Sequence, residues 1–447
     1  MSSDRSTLSP QEREKASVFH SWSAQSSLSP LMIKDAQGVY VTDIDDTTYL
    51  DFSSQLVNTN IGHQHPSVVR AIQEQAGRLC TIAPQHGYES RYRAAELILD
   101  HSFDGAAKVF FTNGGTEAVE HAIRMARVHT GRYKVLSAYR SYHGATATSI
   151  NLTGDPRRWP NDYGNAGTVH FFGPFLYRSA YGATTPEEES ARALASLERT
   201  IQFEGPNAFA AIILETIPGT AGIMVPPPGF LRGVREICDR YGMVFIADEV
   251  MCGFGRTGSW FAFQDHDVRP DLITFAKGVN SGYVPLGGVV LNEEISAAFN
   301  DRVYPGGLTY SGHPLACASA VGTIEAMQDE HIVENARRIG DDVLRPGLLE
   351  LAEKHPIIGD VRGLGVFFAL DLVSDRATKE PLAPYGGTSP AMGEITAASR
   401  AEKMLIFTNY NRLHVVPPCT VSEDEARDGL SRLDRVLSAA DKYYVGA

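Results

Sequence analysis

Two short stretches decide the fold of this chain: Met243-Val-Phe-Ile-Ala-Asp-Glu-Val250 and Leu272-Ile-Thr-Phe-Ala-Lys-Gly278. Each is a short, almost wholly apolar run that ends on a charged side chain, Asp248 in the first and Lys277 in the second. Runs of this length without polar alternation are typical of strands buried on both faces, as in a parallel sheet covered by helices. The two stretches therefore predict neighbouring strands of an α/β protein.

The same pattern of apolar strand, polar turn and helix recurs on the N-terminal side of these stretches. Val109–Phe111 leads through Asn-Gly-Gly into a helix over Thr116–Arg127, and Lys134–Leu136 and Phe209–Leu214 are further strands. The next helix carries apolar side chains every three or four residues and ends at Gly242. Alternation of this kind predicts a mostly parallel central sheet with helices on both faces.

The pattern changes from about residue 320 onward. The sequence there predicts a helix over Ile332–Leu351, a strand at Val366–Leu370, a Pro/Gly loop over Pro381–Pro390 and a final helix. We expect a smaller α+β domain, which the N-terminal segment joins through Gly38–Thr42. The predicted division is an N-terminal segment at 1–60, a large domain at 61–317 and a small domain at 318–447.

The net charge and the cysteine content narrow the range of possible functions and locations. The formal net charge is -13, which disfavours binding to nucleic acid or to anionic membranes. Five scattered cysteines without a CxxC pair indicate reduced thiols rather than a disulfide framework or a zinc site. The N-terminus lacks the apolar core of a signal peptide, and no apolar run approaches the ~20 residues of a membrane helix. We expect a cytoplasmic protein.

Polar side chains follow the predicted strands at their carboxyl ends, where parallel sheets bind ligands. These are Asn113–Thr116, Glu215, Asp248–Glu249 and Lys277–Gly278. An acid pair after an apolar strand also fits a turn cap or the Walker B element of a nucleotide hydrolase. A hydrolase needs a Gly-Lys-Ser/Thr sequence as well, and the chain has none.

Lys277 and Asp248 predict a specific chemistry. A lysine at the end of an apolar strand is partly desolvated, so its amine loses affinity for protons and can form a Schiff base with a carbonyl. A carboxylate beside a pyridine nitrogen keeps that ring protonated and able to accept electrons. Backbone N–H groups at the helix start within Thr112–Glu117 could bind a phosphate, and Tyr142 could stack on the ring.

At these positions the chain resembles the class III (omega) aminotransferases, a branch of the fold-type I enzymes that use pyridoxal 5'-phosphate (PLP). The resemblance runs from about residue 20 to the C-terminus. It is carried by Ala247-Asp-Glu-Val-Met-Cys-Gly-Phe-Gly-Arg-Thr-Gly258, Asp271-Leu-Ile-Thr-Phe-Ala-Lys-Gly278, Pro285-Leu-Gly-Gly288, Asn60-Ile-Gly-His-Gln-His-Pro66, Thr309-Tyr-Ser-Gly-His-Pro314 and Pro417-Pro418.

The resemblance implies a role for each site residue. Lys277 would be the Schiff-base lysine and proton carrier, and Asp248 would pair with the pyridine nitrogen. Val250 and Tyr142 would cover the two faces of the ring, with Glu215 close to it. Gly115 and Thr116 would bind the phosphate. Thr309 would reach the phosphate from a neighbouring subunit, which implies a homodimer with shared active sites.

The substrate is less closely defined. Relatives often bind a substrate carboxylate with an arginine at the positions of His414 or Phe407, so Arg412 is our candidate here. Arg157 and Arg158 are further candidates, and Trp22 and Val57 would wall the pocket. We expect an ω-amino acid, its sulfonate analogue or a primary amine (β-alanine, 4-aminobutyrate, taurine) as donor and pyruvate or 2-oxoglutarate as acceptor.

Two other kinds of function stay open beside the aminotransferase. An enzyme with the same cofactor could be an aminomutase or a decarboxylating transaminase. A PLP-binding regulatory module without turnover is the third reading, although no basic helical segment precedes residue 20.

Overall fold

A computed structural model describes residues 5–161 and 167–446. The described strands form three sheets, and they are β1 (Ile33–Gln37), β2 (Tyr40–Asp43), β3 (Thr48–Asp51), β4 (Ala106–Thr112), β5 (Lys134–Ala138), β6 (Thr168–Phe171), β7 (Phe209–Glu215), β8 (Val244–Asp248), β9 (Leu272–Phe275), β10 (Gly287–Asn292), β11 (Ile358–Leu364), β12 (Phe367–Asp375), β13 (Glu380–Pro381), β14 (Met404–Leu405), β15 (Phe407–Asn409) and β16 (Arg412–Val415).

The described α-helices surround these sheets. They are α1 (Pro10–Ser17), α2 (Ser54–Val57), α3 (Pro66–Ala76), α4 (Glu89–Asp100), α5 (Gly115–Thr130), α6 (Ala147–Leu152), α7 (Pro186–Glu204), α8 (Phe230–Tyr241), α9 (Glu293–Ala297), α10 (Pro314–Asp329), α11 (Ile332–Ile339), α12 (Arg345–Lys354), α13 (Pro390–Ala401) and α14 (Glu423–Ser438). Among the described residues, no helix combines the length and the apolar character needed to cross a membrane.

The central sheet has seven strands in the order β4-β10-β9-β8-β7-β5-β6. Its pairs are parallel except those of β10, which runs antiparallel to both β4 and β9. The apolar face of α5 packs on one side of the sheet, and α7 and α8 pack on the other. The predicted mostly parallel sheet with helices on both faces is therefore confirmed.

Register within this sheet brings the polar strand ends together. Glu215 at the end of β7 is the direct partner of Asp248 at the end of β8, and Asp248 is the partner of Thr274 on β9. Lys277 follows β9 after one further strand-end residue, Ala276. The three side chains predicted for the site thus lie at the ends of three adjacent strands, at the same edge of the sheet.

Two smaller sheets belong to the predicted α+β part. One has the order β1-β2-β3-β14, in which β14 pairs in parallel with β3 and so ties the N-terminal segment to residues 404–405. The other joins β11, β12, β16 and β15, with β13 on β12. The division at residues 60 and 317 stays a prediction, and its outer limits, residues 1 and 447, lie outside the described residues.

One predicted helix is interrupted in the structure. The segment Ile332–Leu351 forms α11, a π-helical turn over Gly340–Leu344, and then α12. Gly340 packs so closely on the carbonyl of Gly365 that a side chain there would not fit. Pro346, in the first turn of α12, has no N–H to continue a regular α-helix. These local constraints explain the widened turn.

Candidate active site

A cavity of about 470 Å³ opens at the carboxyl edge of the central sheet. Of the residues predicted for the site, those that line it are Trp22, Gly115, Thr116, Tyr142, Glu215, Asp248, Val250 and Lys277. A wider surface depression of about 620 Å³ lies elsewhere, but its Arg235 and Asp271 are 2.8 Å apart and neutralise each other. The cavity at the sheet edge is therefore the candidate active site.

Lys277 faces this cavity from a strained backbone position. Its φ is 44°, in the left-handed region that side chains other than glycine rarely adopt. Burial lowers the pKa of Lys277 to about 8, although the carboxylates of Glu215 and Asp248 act in the opposite direction. A lysine amine with this pKa is partly uncharged near neutral pH and can act as a nucleophile and base.

Asp248 is held rigidly at the end of β8. Its Oδ2 lies 2.6 Å from Nδ1 of His143, and its Oδ1 accepts a hydrogen bond of 3.1 Å from the Val250 N–H. Because a carboxylate only accepts hydrogen bonds, Nδ1 of His143 carries the proton between them. The His143 side chain is fully buried, and its Nε2 has no partner among the described residues.

Glu215 lies beside Asp248 and is also buried. It accepts hydrogen bonds from the backbone N–H groups of Tyr142 at 2.8 Å and Gly219 at 2.9 Å. Burial raises the pKa of Glu215, because a charged carboxylate loses its hydration there. Its partners are backbone amides, so it fixes the Tyr142 loop against β7.

The opposite end of the cavity is the start of α5. The first N–H groups of a helix have no partner within it, so those of Gly115 and Thr116 can bind an anion. A β-carbon on Gly115 would come within 2.8 Å of the Val250 side chain. Thr116 Oγ1 accepts a hydrogen bond of 3.3 Å from the Ala145 N–H, which ties the cavity walls together.

Tyr142 is covered by one of the arginines named from the sequence. The guanidinium carbon of Arg157 lies 3.7 Å from the centre of the Tyr142 ring. Arg157 also forms an ion pair with the buried carboxylate of Asp155, to which its Nε donates at 2.9 Å. Arg157 therefore packs on the ring of Tyr142 while Asp155 neutralises its charge.

Three predicted site residues are not among those that line the cavity. Thr309 is exposed on the turn before α10, and Val57 is fully buried against Ile217 and Met251. The neighbours of Val57, Leu56 and Asn58, line the cavity instead. The roles predicted for Thr309 and Val57 stay predictions.

Arg412, the third of these residues, is buried at the start of β16. It donates hydrogen bonds to the carbonyl of Asn409 at 3.1 Å and to the carbonyl of Ala221. Burial lowers the pKa of Arg412 to about 10. Its Nε and Nη1 groups are thus bonded to the protein. The predicted role of Arg412 in binding the substrate stays a prediction.

The sequence reasoning assigned no role to His143. The only signal was its place directly after Tyr142, in a loop already named for the site. Its bond to Asp248 depends on the strand order, because β7 lies between β5 and β8. No local pattern gives that order.

The described residues fit PLP. The cavity volume lies in the usual range for small-molecule sites, roughly 300–1,000 Å³. The cavity is lined by the amine of Lys277 with its lowered pKa, by the fixed carboxylate of Asp248 and by the N-terminus of α5. These are the groups that an aldehyde, a pyridine nitrogen and a phosphate require.

Comparison with known proteins agrees with this geometry. Residues 22–437 match the sequence model of the family described as aminotransferase class-III. The chain is 33% identical to the taurine–pyruvate aminotransferase of Bilophila wadsworthia in an alignment 451 positions long, which covers 96% of each chain. It is 34% identical to the 4-aminobutyrate aminotransferase of Escherichia coli over 421 residues, 92% of this chain and 95% of that one.

A solved structure is also similar over nearly its full length. It is the taurine:2-oxoglutarate aminotransferase of Bifidobacterium kashiwanohense, in complex with PLP and glutamate. It has 40% sequence identity and a TM-score of 0.94, and the alignment covers 97% of this chain and 98% of that one.

Proposed function

Because this chain belongs to the class-III aminotransferases and uses PLP, we propose that its donor is an ω-amino acid or the sulfonate analogue of one. Pyruvate or 2-oxoglutarate would be the acceptor, as the names of the similar enzymes indicate. The observation that carries this proposal is the convergence of Lys277 and Asp248 on one cavity.

Lys277 would be the group that binds the cofactor and then moves protons. When bound, PLP supplies an aldehyde that takes up an amino group and a pyridine ring that accepts electrons from the substrate. Lys277 would take up, at its Nζ, a proton from the substrate carbon that bears the amine, and would return it to the carbon that was the aldehyde carbon of the cofactor. Its pKa of about 8 suits both directions of transfer near neutral pH.

Asp248 would hold the pyridine nitrogen in its protonated form. The His143 N–H and the Val250 N–H each occupy one of its oxygens, so the carboxylate cannot rotate away. His143 is a positioning residue in this scheme, because it acts through Asp248.

The remaining side chains would position the cofactor. Gly115 and Thr116 would bind the phosphate at the start of α5, and Tyr142 and Val250 would cover the two faces of the ring. Thr309 is exposed and outside the cavity lining of its own chain, which supports a homodimer in which it completes the partner's site. A cytoplasmic location, expected from five free thiols, belongs to the same proposal.

The visible spectrum of the purified protein tests this function. The holoenzyme is mixed with single amines, without any oxo acid, and the yellow absorbance of the bound cofactor is followed. Loss of that absorbance with release of the matching aldehyde supports a transaminase. Carbon dioxide release would point to a decarboxylating transaminase, and steady turnover without an acceptor would point to an aminomutase. No reaction with any amine would contradict the proposal.

A further inference from the structure

A long loop joins α9 to α10 and carries Thr309. We call residues 298–313 the Thr309 loop; the structure describes all of them, and they contain no helix or strand. Loops of this length inside a compact domain usually serve a function. Thr309 is exposed, and so are the apolar side chains of Val303 (89%) and Tyr310 (60%) on either side of it. The loop therefore presents Thr309 to the outside of its own chain.

The loop is attached to α5 through Tyr304. This side chain is half-buried, and its hydroxyl oxygen lies 2.6 Å from Nδ1 of His121, a buried residue of α5. The Tyr304 ring also packs edge-on against the rings of Phe110 and Phe299, with ring centres 5.5 and 5.2 Å apart. Tyr304 thus combines ring packing with one hydrogen bond that fixes its direction.

Two further contacts hold the chain on both sides of Thr309. The Gly306 N–H donates a hydrogen bond of 2.9 Å to the carbonyl of Tyr304, and a β-carbon on Gly306 would come within 2.8 Å of the Tyr304 ring. After Thr309, the Ser311 hydroxyl donates a hydrogen bond of 2.8 Å to the carbonyl of Phe111 on β4. Residues 307–310 are therefore held between two anchors.

The bond between His121 and Tyr304 joins two uncharged groups. Burial lowers the pKa of His121, and it raises the pKa of Tyr304 to about 12. At physiological pH one group therefore donates and the other accepts. Removal of the hydroxyl would take this partner from a buried ring nitrogen, which is unfavourable. The bond is thus a defined link between α5 and the Thr309 loop.

Both anchors belong to elements that border the predicted phosphate site of the same chain. β4 ends at Thr112 and α5 begins at Gly115, and Gly114 between them lines the cavity. A loop held by these elements is ordered before a second subunit or a cofactor binds, so a contact made by Thr309 costs less entropy. Such a loop is suited to contribute a residue to another subunit.

We propose that the hydrogen bond between His121 and Tyr304 positions the Thr309 loop, so that Thr309 contacts the cofactor phosphate in the partner subunit. This inference rests on the proposed function, which assigns Thr309 to the partner's site. His121 and Tyr304, both within the described residues, do not line the cavity of their own chain. They are positioning residues, and their effect appears in the site of the other subunit.

The test compares Tyr304→Phe with the wild type in the uptake of PLP and of pyridoxal, which lacks the phosphate. Each ligand is titrated into the full-length protein freed of its cofactor, borohydride fixes the bond to Lys277, and mass spectrometry measures the labelled Lys277 peptide. Phenylalanine keeps the ring contacts and removes only the hydroxyl. The half-saturating PLP concentration should rise about 3- to 30-fold, as for the loss of one buried hydrogen bond. That of pyridoxal should change less than about twofold, because it has no phosphate for Thr309 to contact.

Two further variants serve as controls. Tyr133→Phe removes a hydroxyl from an exposed tyrosine, so it should bind both ligands as the wild type does. Thr309→Ala removes the residue that the loop presents, and it should show the same selective loss of PLP binding as Tyr304→Phe.

Hybrid dimers show which site depends on Tyr304. Two differently tagged chains are co-expressed and the mixed dimer is purified, with Lys277→Ala in one chain so that only one site can be labelled. When Tyr304→Phe is in the chain that keeps Lys277, PLP uptake should match the wild type, because the labelled site receives the intact loop of the other chain. When Tyr304→Phe is in the Lys277→Ala chain, the labelled site should show the full loss.

The outcomes separate this inference from the proposed function. An equal loss of PLP and pyridoxal binding, no loss at all, or a loss that follows the chain bearing Lys277 would each overturn the role of the His121–Tyr304 bond. A selective loss in Thr309→Ala would still support the shared site in each of these cases. If Thr309→Ala binds PLP as the wild type does, the shared site is contradicted and this inference falls with it. A wild-type protein in which PLP never labels Lys277 contradicts the proposed function as a whole.

Discussion

The two γ-carbons of Val250 lie 2.8 and 2.9 Å from the point where a β-carbon on Gly115 would stand. Val250 also donates its N–H to Asp248, so this one contact links the helix N-terminus to the acid at the end of β8. A glycine and a valine in direct contact therefore set the distance between the proposed phosphate site and the proposed site of the cofactor ring.

Replacing Gly115 with alanine should weaken PLP binding. The new methyl group must push Val250 or α5 away, and overpacking of this kind costs about 1–3 kcal/mol, so we expect an affinity loss of about tenfold or more. Titration of the cofactor-free protein with PLP measures it. The Gly115→Ala/Val250→Ala double variant should recover affinity, because it removes the γ-carbons.

Gly114 offers the matched control for this experiment. It precedes Gly115 directly, its φ of 178° is ordinary extended backbone, and nothing lies within 4 Å of its β-carbon position. Gly114 also lines the cavity, but its methyl group would displace no atom of the protein, so Gly114→Ala should lose less PLP affinity than Gly115→Ala. Equal losses at both glycines would mean that the effect comes from the helix start in general and not from Val250.

Lys277→Ala should abolish transamination. The variant loses the amine that binds the cofactor and carries the proton, and no other lysine lines the cavity among the described residues. Activity should fall by at least about a thousandfold, as expected when a nucleophile and base are removed together. Lys108→Ala, at an exposed lysine on β4, is the control. Normal turnover in Lys277→Ala would overturn the site assignment.

The pKa of Lys277 predicts a pH dependence for cofactor uptake. Only the neutral amine attacks an aldehyde, and burial lowers this pKa from 10.5 to about 8. The rate at which cofactor-free protein takes up PLP should therefore rise about tenfold per pH unit below pH 8 and level off above it. Stopped-flow absorbance between pH 6.5 and 9.5 measures it. A rate still rising at pH 9.5 would show an ordinary lysine.

Much of the central sheet is predictable because each of its strands is recognisable locally, as a short apolar run. The apolar runs ending at Glu215, Asp248 and Lys277 need only to be parallel for their ends to meet, and the register confirms that they do. Gly242 marks the end of α8 through a φ of 61°, as its position after the helical period predicts. Local sequence was sufficient for these features.

Contacts between distant segments are not predictable in this way. The bond between His143 and Asp248 requires the order β5-β7-β8, and the π-helical turn between α11 and α12 depends on the contact between Gly340 and Gly365. Each of these features depends on packing between elements far apart in the chain.

His143→Leu should impair catalysis through Asp248. The carboxylate loses one donor, and a hydrogen bond to a charged group contributes about 1.5–3 kcal/mol, so kcat/KM should fall about 10- to 100-fold. His143→Asn keeps an N–H donor and should recover part of the loss. The absorbance maximum of the bound cofactor should shift in the leucine variant, which a purely structural role of His143 would not produce.

The Arg412→Ala variant distinguishes a structural role of Arg412 from the substrate-binding role that the sequence predicts. The change leaves the carbonyls of Asn409 and Ala221 without their donor in a buried site, so unfolding should become about 2–4 kcal/mol easier. Urea unfolding measures this, with the exposed Arg199→Ala expected to differ by less than about 0.5 kcal/mol. Activity toward taurine and propylamine should fall together, because the turn that carries Thr220 loses its support. Unchanged stability with a selective loss of taurine activity would instead place Arg412 in contact with the donor, as the sequence predicted.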